Sequence, residues 1–263
     1  MIRKKMELFK QLFSKRWWWL TIVAVIAAGV MVRLGIWQLD RLAWRQTYNR
    51  DTIAQLTAPE LRLDSSVFDE PLETMAYRSV VVEGEYDFAN EVALRNQVWN
   101  GLPGYTLLTP LKIEGTDQYV IVNRGWVPNE GDPVGAEAFF ERGQVSVYGM
   151  IRASETEPQI GRRSDPKPAP GERLTYWNLA NLEQIESQLP YDLLPIYIQR
   201  GPDSQYPQDL ELWTPDLLPY PGLPTIEISE GSHLVYAIQW FVFASFALIG
   251  YPILVWREMN SKE

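Results

Sequence analysis

Two long apolar runs, one near each end, constrain this chain more than any other feature. Trp17–Trp37 spans 21 residues with a single charge, Arg33, and Leu234–Trp256 spans 23 residues with none. At about 1.5 Å of rise per residue, either run as a helix covers a hydrocarbon core of roughly 30 Å. In lipid such a run satisfies its own backbone only as a helix. The expected fold is therefore a membrane protein with two transmembrane helices flanking one aqueous domain.

Charge sets the expected orientation. Residues 1–16 carry six basic groups (Arg3, Lys4, Lys5, Lys10, Lys15, Arg16) against Glu7, whereas residues 17–256 hold 16 basic and 30 acidic groups, a net −14. Short basic flanks stay on the cytoplasmic side. The expected layout is a cytoplasmic basic tail at 1–16, a first span at 17–37 and a domain at 38–233 facing the periplasm or exterior. A second span at 234–256 and a cytoplasmic tail at 257–263 complete it. That places the protein in a plasma (inner) membrane, multi-pass, with both termini inside. An acidic domain argues against nucleic acid and against an anionic surface as its partner.

A cleaved signal peptide is the competing reading of the N-terminus, with small residues at Ala24, Ala27 and Ala28. The apolar run continues well past them, and tryptophans stand at both of its ends (Trp17, Trp18, Trp19 and Trp37), as interfacial belts do. An uncleaved anchor explains both features.

Beyond Trp37 a polar, Arg-rich helical pattern continues to about Leu56 as a stalk, and Pro59 and Pro71 bracket a loop. From Arg78 the period becomes two. Val80, Val82, Gly84, Tyr86 and Phe88 share one face, and Glu83, Glu85 and Asp87 the other. Asp87–Asn90 reads as a turn into a strand at Val92–Trp99, and Asn100-Gly101 and Pro103-Gly104 as breaks. Tyr105–Ile113 alternates, Glu114–Asp117 reads as a hairpin turn into Tyr119–Trp126, and Val145–Ile151 alternates again. Short turns between sequential strands predict an extracytoplasmic α+β domain built on an antiparallel sheet or partial barrel. Ala136–Arg142 is expected to be a short helix. Leu179–Leu189 is expected to be a firmer one, capped by Asn178 and stopped by Pro190. A late strand is expected at Ile196–Gln199. Twelve of the 19 prolines fall in 158–224, so 158–172 and 201–224 are expected to be loops.

Catalytic constellations are thin. With one His and no Cys, a thiol nucleophile, a disulfide framework and a multi-His zinc site are all excluded. No Gly-rich phosphate loop with a following Lys is present. The expectation is a non-enzyme.

The membrane boundary is richer. Under the layout above, the first span brings Arg33, Trp37, Gln38 and Arg41 to the outer face, and the second brings His233, Tyr236, Gln239 and Trp240. His233, Tyr236, Ala237 and Trp240 fall on one helical face, continued by the small residues Ala244 and Ala247 and by Tyr251. One reading makes these residues interfacial anchors, with Arg33 snorkelling to water. The other makes them a site for an amphipathic anionic ligand: imidazole on a haem iron, Arg33 or Arg41 on propionates, and aromatic rings over the macrocycle.

Several strings occur in a telling order. They are Gly35-Ile-Trp-Gln-Leu-Asp-Arg41, Tyr77-Arg78, Gly84-Glu-Tyr86, Gly104–Leu111, Val122-Asn-Arg-Gly-Trp-Val-Pro128 and His233–Phe241. Together, over about residues 33–257, they resemble the Surfeit locus protein one family, assembly factors for haem–copper cytochrome c oxidase. The resemblance implies a role in maturing the catalytic subunit at the haem a insertion step. Cytochrome c oxidase subunits, and possible contact with the haem a synthesis machinery, are the implied partners. Haem a is the implied transient cofactor and His233 the tentative ligand of its iron. Tyr236, Trp37, Gln38, Arg41 and Gly84 carry over from the same motifs. A membrane-tethered scaffold for nascent oxidase subunits, with no cofactor, is the alternative. Asn123–Trp126 reads either as a structural turn or as a contact for an oxidase subunit.

Overall fold

The computed structural model describes residues 9–158, 164–166, 172–204, 206, 207, 209, 213–222 and 225–261. Arg3, Lys4, Lys5 and Glu7, most of the segment expected to loop over 158–172, and parts of 201–224 lie outside the described residues. The chain forms two compact units, residues 1–51 with 227–263 and residues 52–226.

The first unit is helical. Helix α1 runs from Trp18 to Leu56, 39 residues without a break, so the apolar run and the polar stalk are one rod of about 58 Å. At the other end of the chain, His233–Ser245 and Tyr251–Asn260 are α-helical, joined by a π-helical turn at Phe246–Gly250. Pro252 has no N–H to offer the preceding turn, and the wider turn falls just before it. Both helices are long and apolar enough to cross a bilayer, and only 17% and 11% of their most apolar windows are buried. The core helix of a soluble protein would bury its apolar side chains. These leave Ile22, Val25, Ile26, Val30, Ile238, Phe246, Ile249 and Leu254 bare.

The second unit is a sheet that closes on itself. Its strands are β1 (Leu61–Arg62), β2 (Ser79–Tyr86), β3 (Val92–Trp99), β4 (Leu102–Ile113), β5 (Tyr119–Pro128), β6 (Gln144–Ala153), β7 (Tyr176–Trp177) and β8 (Leu193–Arg200). The order is β1-β2-β6-β8-β5-β4-β3-β7, and β2 also pairs with β4. Strands β2, β6, β8, β5 and β4 thus form a closed ring, a barrel rather than a partial one. It is not wholly antiparallel: β8 enters between β6 and β5, antiparallel to the first and parallel to the second, and β1 and β7 add parallel edges.

The expected alternation of β2 appears as drawn, with Val80, Val82 and Tyr86 buried. They join Leu111, Ile113, Val120, Val122, Val147, Ile151, Ile196 and Ile198 in a core to which all five ring strands contribute. A second core covers the outside of the ring, where Leu108, Ile121 and Tyr197 meet Val92, Trp177 and the short helix α2 (Leu182–Glu186). β4 departs from simple alternation because both of its faces are covered: Leu108 enters the second core and Leu107 a third, smaller one with Ala93 and Val127, and both are fully buried beside a bulge in the β4–β5 pairing.

Other expectations are corrected. Pro103-Gly104 does not break the chain but lies inside β4, facing Val98 and Gln97. Ala136–Arg142 is not a helix; only Glu137–Phe139 makes a single 3-10 turn, because the Phe139 carbonyl is taken by Arg124 rather than by the next turn. The helix expected over Leu179–Leu189 shrinks to α2. The backbone N–H groups of Asn178 and Leu179 donate to the Asp165 carboxylate, and Asn181 is the cap, its Oδ1 accepting from the Gln184 N–H at 3.2 Å. The late strand is longer than Ile196–Gln199, filling Leu193–Arg200.

Candidate functional site

Within the helical unit, burial along α1 follows a heptad rhythm. Thr21, Ala28, Gly35 and Asn49 are buried at spacings of seven or fourteen. On the facing helices, α3 (His233–Ser245) and α4 (Tyr251–Asn260), the buried positions are Ala237, Ala244 and Val255. Small residues on both sides let the backbones approach closely. A Cβ added to Gly35 would stand 2.7 Å from the Phe241 ring. Polar contacts pin the seam at both ends. At one end the Tyr251 and Thr21 hydroxyls lie 2.9 Å apart, and Arg16 pairs with Glu258 at 2.6 Å. At the other, His233 Nδ1 lies 2.7 Å from Gln38 Oε1, and Gln46 Nε2 donates to Glu230 at 3.1 Å. The helices are therefore antiparallel, and the lone imidazole sits where the seam ends.

The His233–Gln38 contact determines what the imidazole can do. With Nδ1–H donating to the amide oxygen, Nε2 keeps its lone pair and the ring is held in one orientation. Gly231 (φ +66°) lies close to the ring, where a Cβ would make an ordinary contact with Nε2 at 3.6 Å. Trp240 is partly buried next to the seam, its ring edge-on to Phe243 at 6.2 Å, and Tyr236 is half exposed.

The structure brings together only part of the sequence-level cluster. Gln38 faces His233, but Arg33, Trp37 and Arg41 are exposed and lie on another side of α1. At about 100° per residue, positions 33, 37 and 41 form a stripe centred about 160° from the Gly35 seam and about 100° from Gln38, with Arg41, three residues on from Gln38, the nearest to it at about 60°.

Residues 25–245 match the sequence model of the SURF1 family, most of the chain including both partners of this contact. The chain belongs to the SURF1 family. A SURF1-like protein of Rickettsia felis is 27% identical over 88% of this chain and 95% of its own length. One from Drosophila melanogaster is 26% identical over 85% of this chain and 72% of its own. A shorter match, 31% identical over 37% of this chain and 25% of the relative, joins it to the cytochrome oxidase assembly protein SHY1 of Saccharomyces cerevisiae.

The Asn123–Trp126 string of this SURF1-family chain lies in the sheet unit and is built into its interior. Arg124 is fully buried. Its guanidinium reaches Glu91 at 3.1 Å, Glu141 at 3.1 Å and the Phe139 carbonyl, and it is faced by the Tyr86 and Phe88 rings at 5.0 Å. Glu91 also accepts from Thr109 Oγ1 and from the Gly135 N–H, and Glu141 binds Arg200 at 2.7 Å. Burial pushes the Tyr86 phenol above its ordinary range, so it stays neutral beside these charges. Gly125 has φ +131°, and a Cβ there would collide with the Tyr220 carbonyl. That close approach lets Trp126 and Tyr220 exchange both backbone hydrogen bonds. The string is not a turn: it lies inside β5, where Gly125 stands at the bulge in the β4–β5 pairing, and Arg124 is the centre of a buried ion network. Glu91, its partner, was missed in the sequence; an acidic residue just before the apolar Val92-Ala93-Leu94 was the only signal.

Proposed function

We propose that this chain is a membrane-anchored assembly factor for cytochrome c oxidase that holds haem a transiently at His233 and presents it to the catalytic subunit. Family membership and the likeness to the yeast cytochrome oxidase assembly protein support the oxidase-assembly part. The observation that carries the haem part is the His233–Gln38 contact, which orients the imidazole through Nδ1 and leaves Nε2 as the nitrogen that can meet an iron.

In this reading both apolar helices span the inner membrane, the termini are cytoplasmic, and the sheet domain faces outward. The residues fit the cofactor: an imidazole ligand oriented through its second nitrogen, with Tyr236 and Trp240 one and two turns along the same helical face for the flat macrocycle. Bound there, haem a contributes an iron centre that the imidazole ligates, and the chain's own task is to hold and release it. With one imidazole per chain, His233 would be the chain's only histidine ligand to the iron, which suits delivery rather than storage. Arg33, Trp37 and Arg41 are left out of this pocket, because their stripe lies away from the imidazole.

Gln38→Leu, which removes the acceptor for Nδ1, is expected to weaken haem a binding by about 10- to 100-fold, while Gln38→Glu retains it. Titration of haem into purified full-length protein, followed at the Soret band, checks both. Equal affinity in all three proteins would remove Gln38 from the site. No Soret band in any of them would favour the cofactor-free scaffold.

A further inference from the structure

The stripe on α1 that misses the imidazole has an order of its own. Arg33, Trp37, Arg41, Trp44 and Tyr48 recur at spacings of four or three, so they share one helical face for about 22 Å. The Arg41 guanidinium lies 4.3 Å above the Trp44 ring, and Trp44 stacks on Tyr48 at 5.7 Å with 16° between the planes. Trp37 and Trp44 are half exposed, and neither arginine of the stripe has an ion pair among the described residues. Two carboxylates of the same face, Asp40 and Asp51, are both exposed.

We propose that this stripe seats the phosphate headgroups of anionic phospholipids, on a side of the helix pair other than the one carrying His233. The proposal rests on the reading above that α1 spans a bilayer. Arg33 stands four residues before the end of the apolar run and Arg41 four residues after it, about 12 Å apart along the axis, so together they bracket the depth at which headgroups lie. Guanidinium groups take phosphate oxygens in pairs, and their planar, weakly hydrated form tolerates the interface. The rings suit the same zone, where an apolar body and a polar edge are both satisfied. The stacking of Arg41 on Trp44 fixes one cation in advance and lowers the ordering cost of receiving the headgroup. Charge complementarity thus names the occupant: an acidic lipid rather than a zwitterionic one.

The test uses full-length protein in nanodiscs of equal parts phosphatidylcholine and phosphatidylglycerol. After detergent extraction, the lipids retained are counted by native mass spectrometry. Wild type is expected to retain phosphatidylglycerol several-fold above its bulk share. Arg33→Gln with Arg41→Gln should fall to the bulk ratio, and Arg50→Gln, on the same helix but off the stripe, should match wild type. Unchanged enrichment in the double variant would overturn the proposal. So would loss of haem a binding in that variant with lipid retention intact, since the cations would then serve the cofactor. Extraction of the wild-type chain from membranes by alkaline carbonate would instead sink the spanning reading on which the seat depends.

Discussion

Glu91→Leu is expected to destabilise the sheet domain by about 3–5 kcal/mol, because it removes the buried one of the two carboxylates that neutralise Arg124 and leaves only the partly exposed Glu141. Two more bonds go with it, since Thr109 Oγ1 and the Gly135 N–H lose their acceptor. For a unit of this size the thermal midpoint should fall by roughly 6–20 °C. Adding Arg124→Met to Glu91→Leu should recover part of the loss, because replacing both charges by apolar groups removes the uncompensated one. Thermal unfolding of the full-length variants, followed by circular dichroism in the β region, checks the pair. A loss under about 1 kcal/mol in the single variant would mean that water reaches Arg124 and that the ion network is not a sealed one.

Gly84→Ala should be nearly as damaging, although it adds one methyl group. Gly84 pairs with Ile113 where β2 meets β4, the pairing that closes the barrel. A Cβ at that position collides with the Lys112 carbonyl, which is backbone and has no rotamer to yield. The strands must part, which costs about 3 kcal/mol at the upper end of overpacking effects. Gly115, in the turn between β4 and β5, is the control. It has φ +71° and open space around it, so Gly115→Ala meets only backbone strain of about 1–2 kcal/mol. If both variants unfolded at the same temperature, closure at Gly84 would not be tight.

What the sequence revealed follows the range of each interaction. The two apolar helices, the α1 stalk to Leu56, the strands at Val92–Trp99 and Tyr119–Trp126 and the hairpin turn at Glu114–Asp117 depend on local period and turn chemistry, and all are present. Barrel closure was not legible, because it depends on register between strands distant in sequence; a glycine midway along β2 was its only trace. The Arg124–Glu91 pair was hidden for the same reason, its partners lying 33 residues apart. The Asn178 cap failed because Asn181, three residues on, supplies the cap by accepting from the Gln184 N–H, while Asp165 from a different loop holds the Asn178 and Leu179 N–H groups outside the helix.

At the candidate site, both partners of the His233–Gln38 contact were named from sequence, but the cluster was drawn too wide. Arg33, Trp37 and Arg41 were grouped with Gln38 by depth in the span. Rotation about the helix separates them, and that rotation is readable from a helical wheel once the small-residue seam through Gly35 is recognised.

The central claim is most directly tested in cells. The gene is deleted from its host, and haem a in the purified oxidase is measured after return of wild type or His233→Ala, with membrane levels of both proteins matched. Wild type should restore the haem a content, and His233→Ala should leave oxidase subunits present but short of haem a. Full restoration by His233→Ala would contradict delivery through this imidazole.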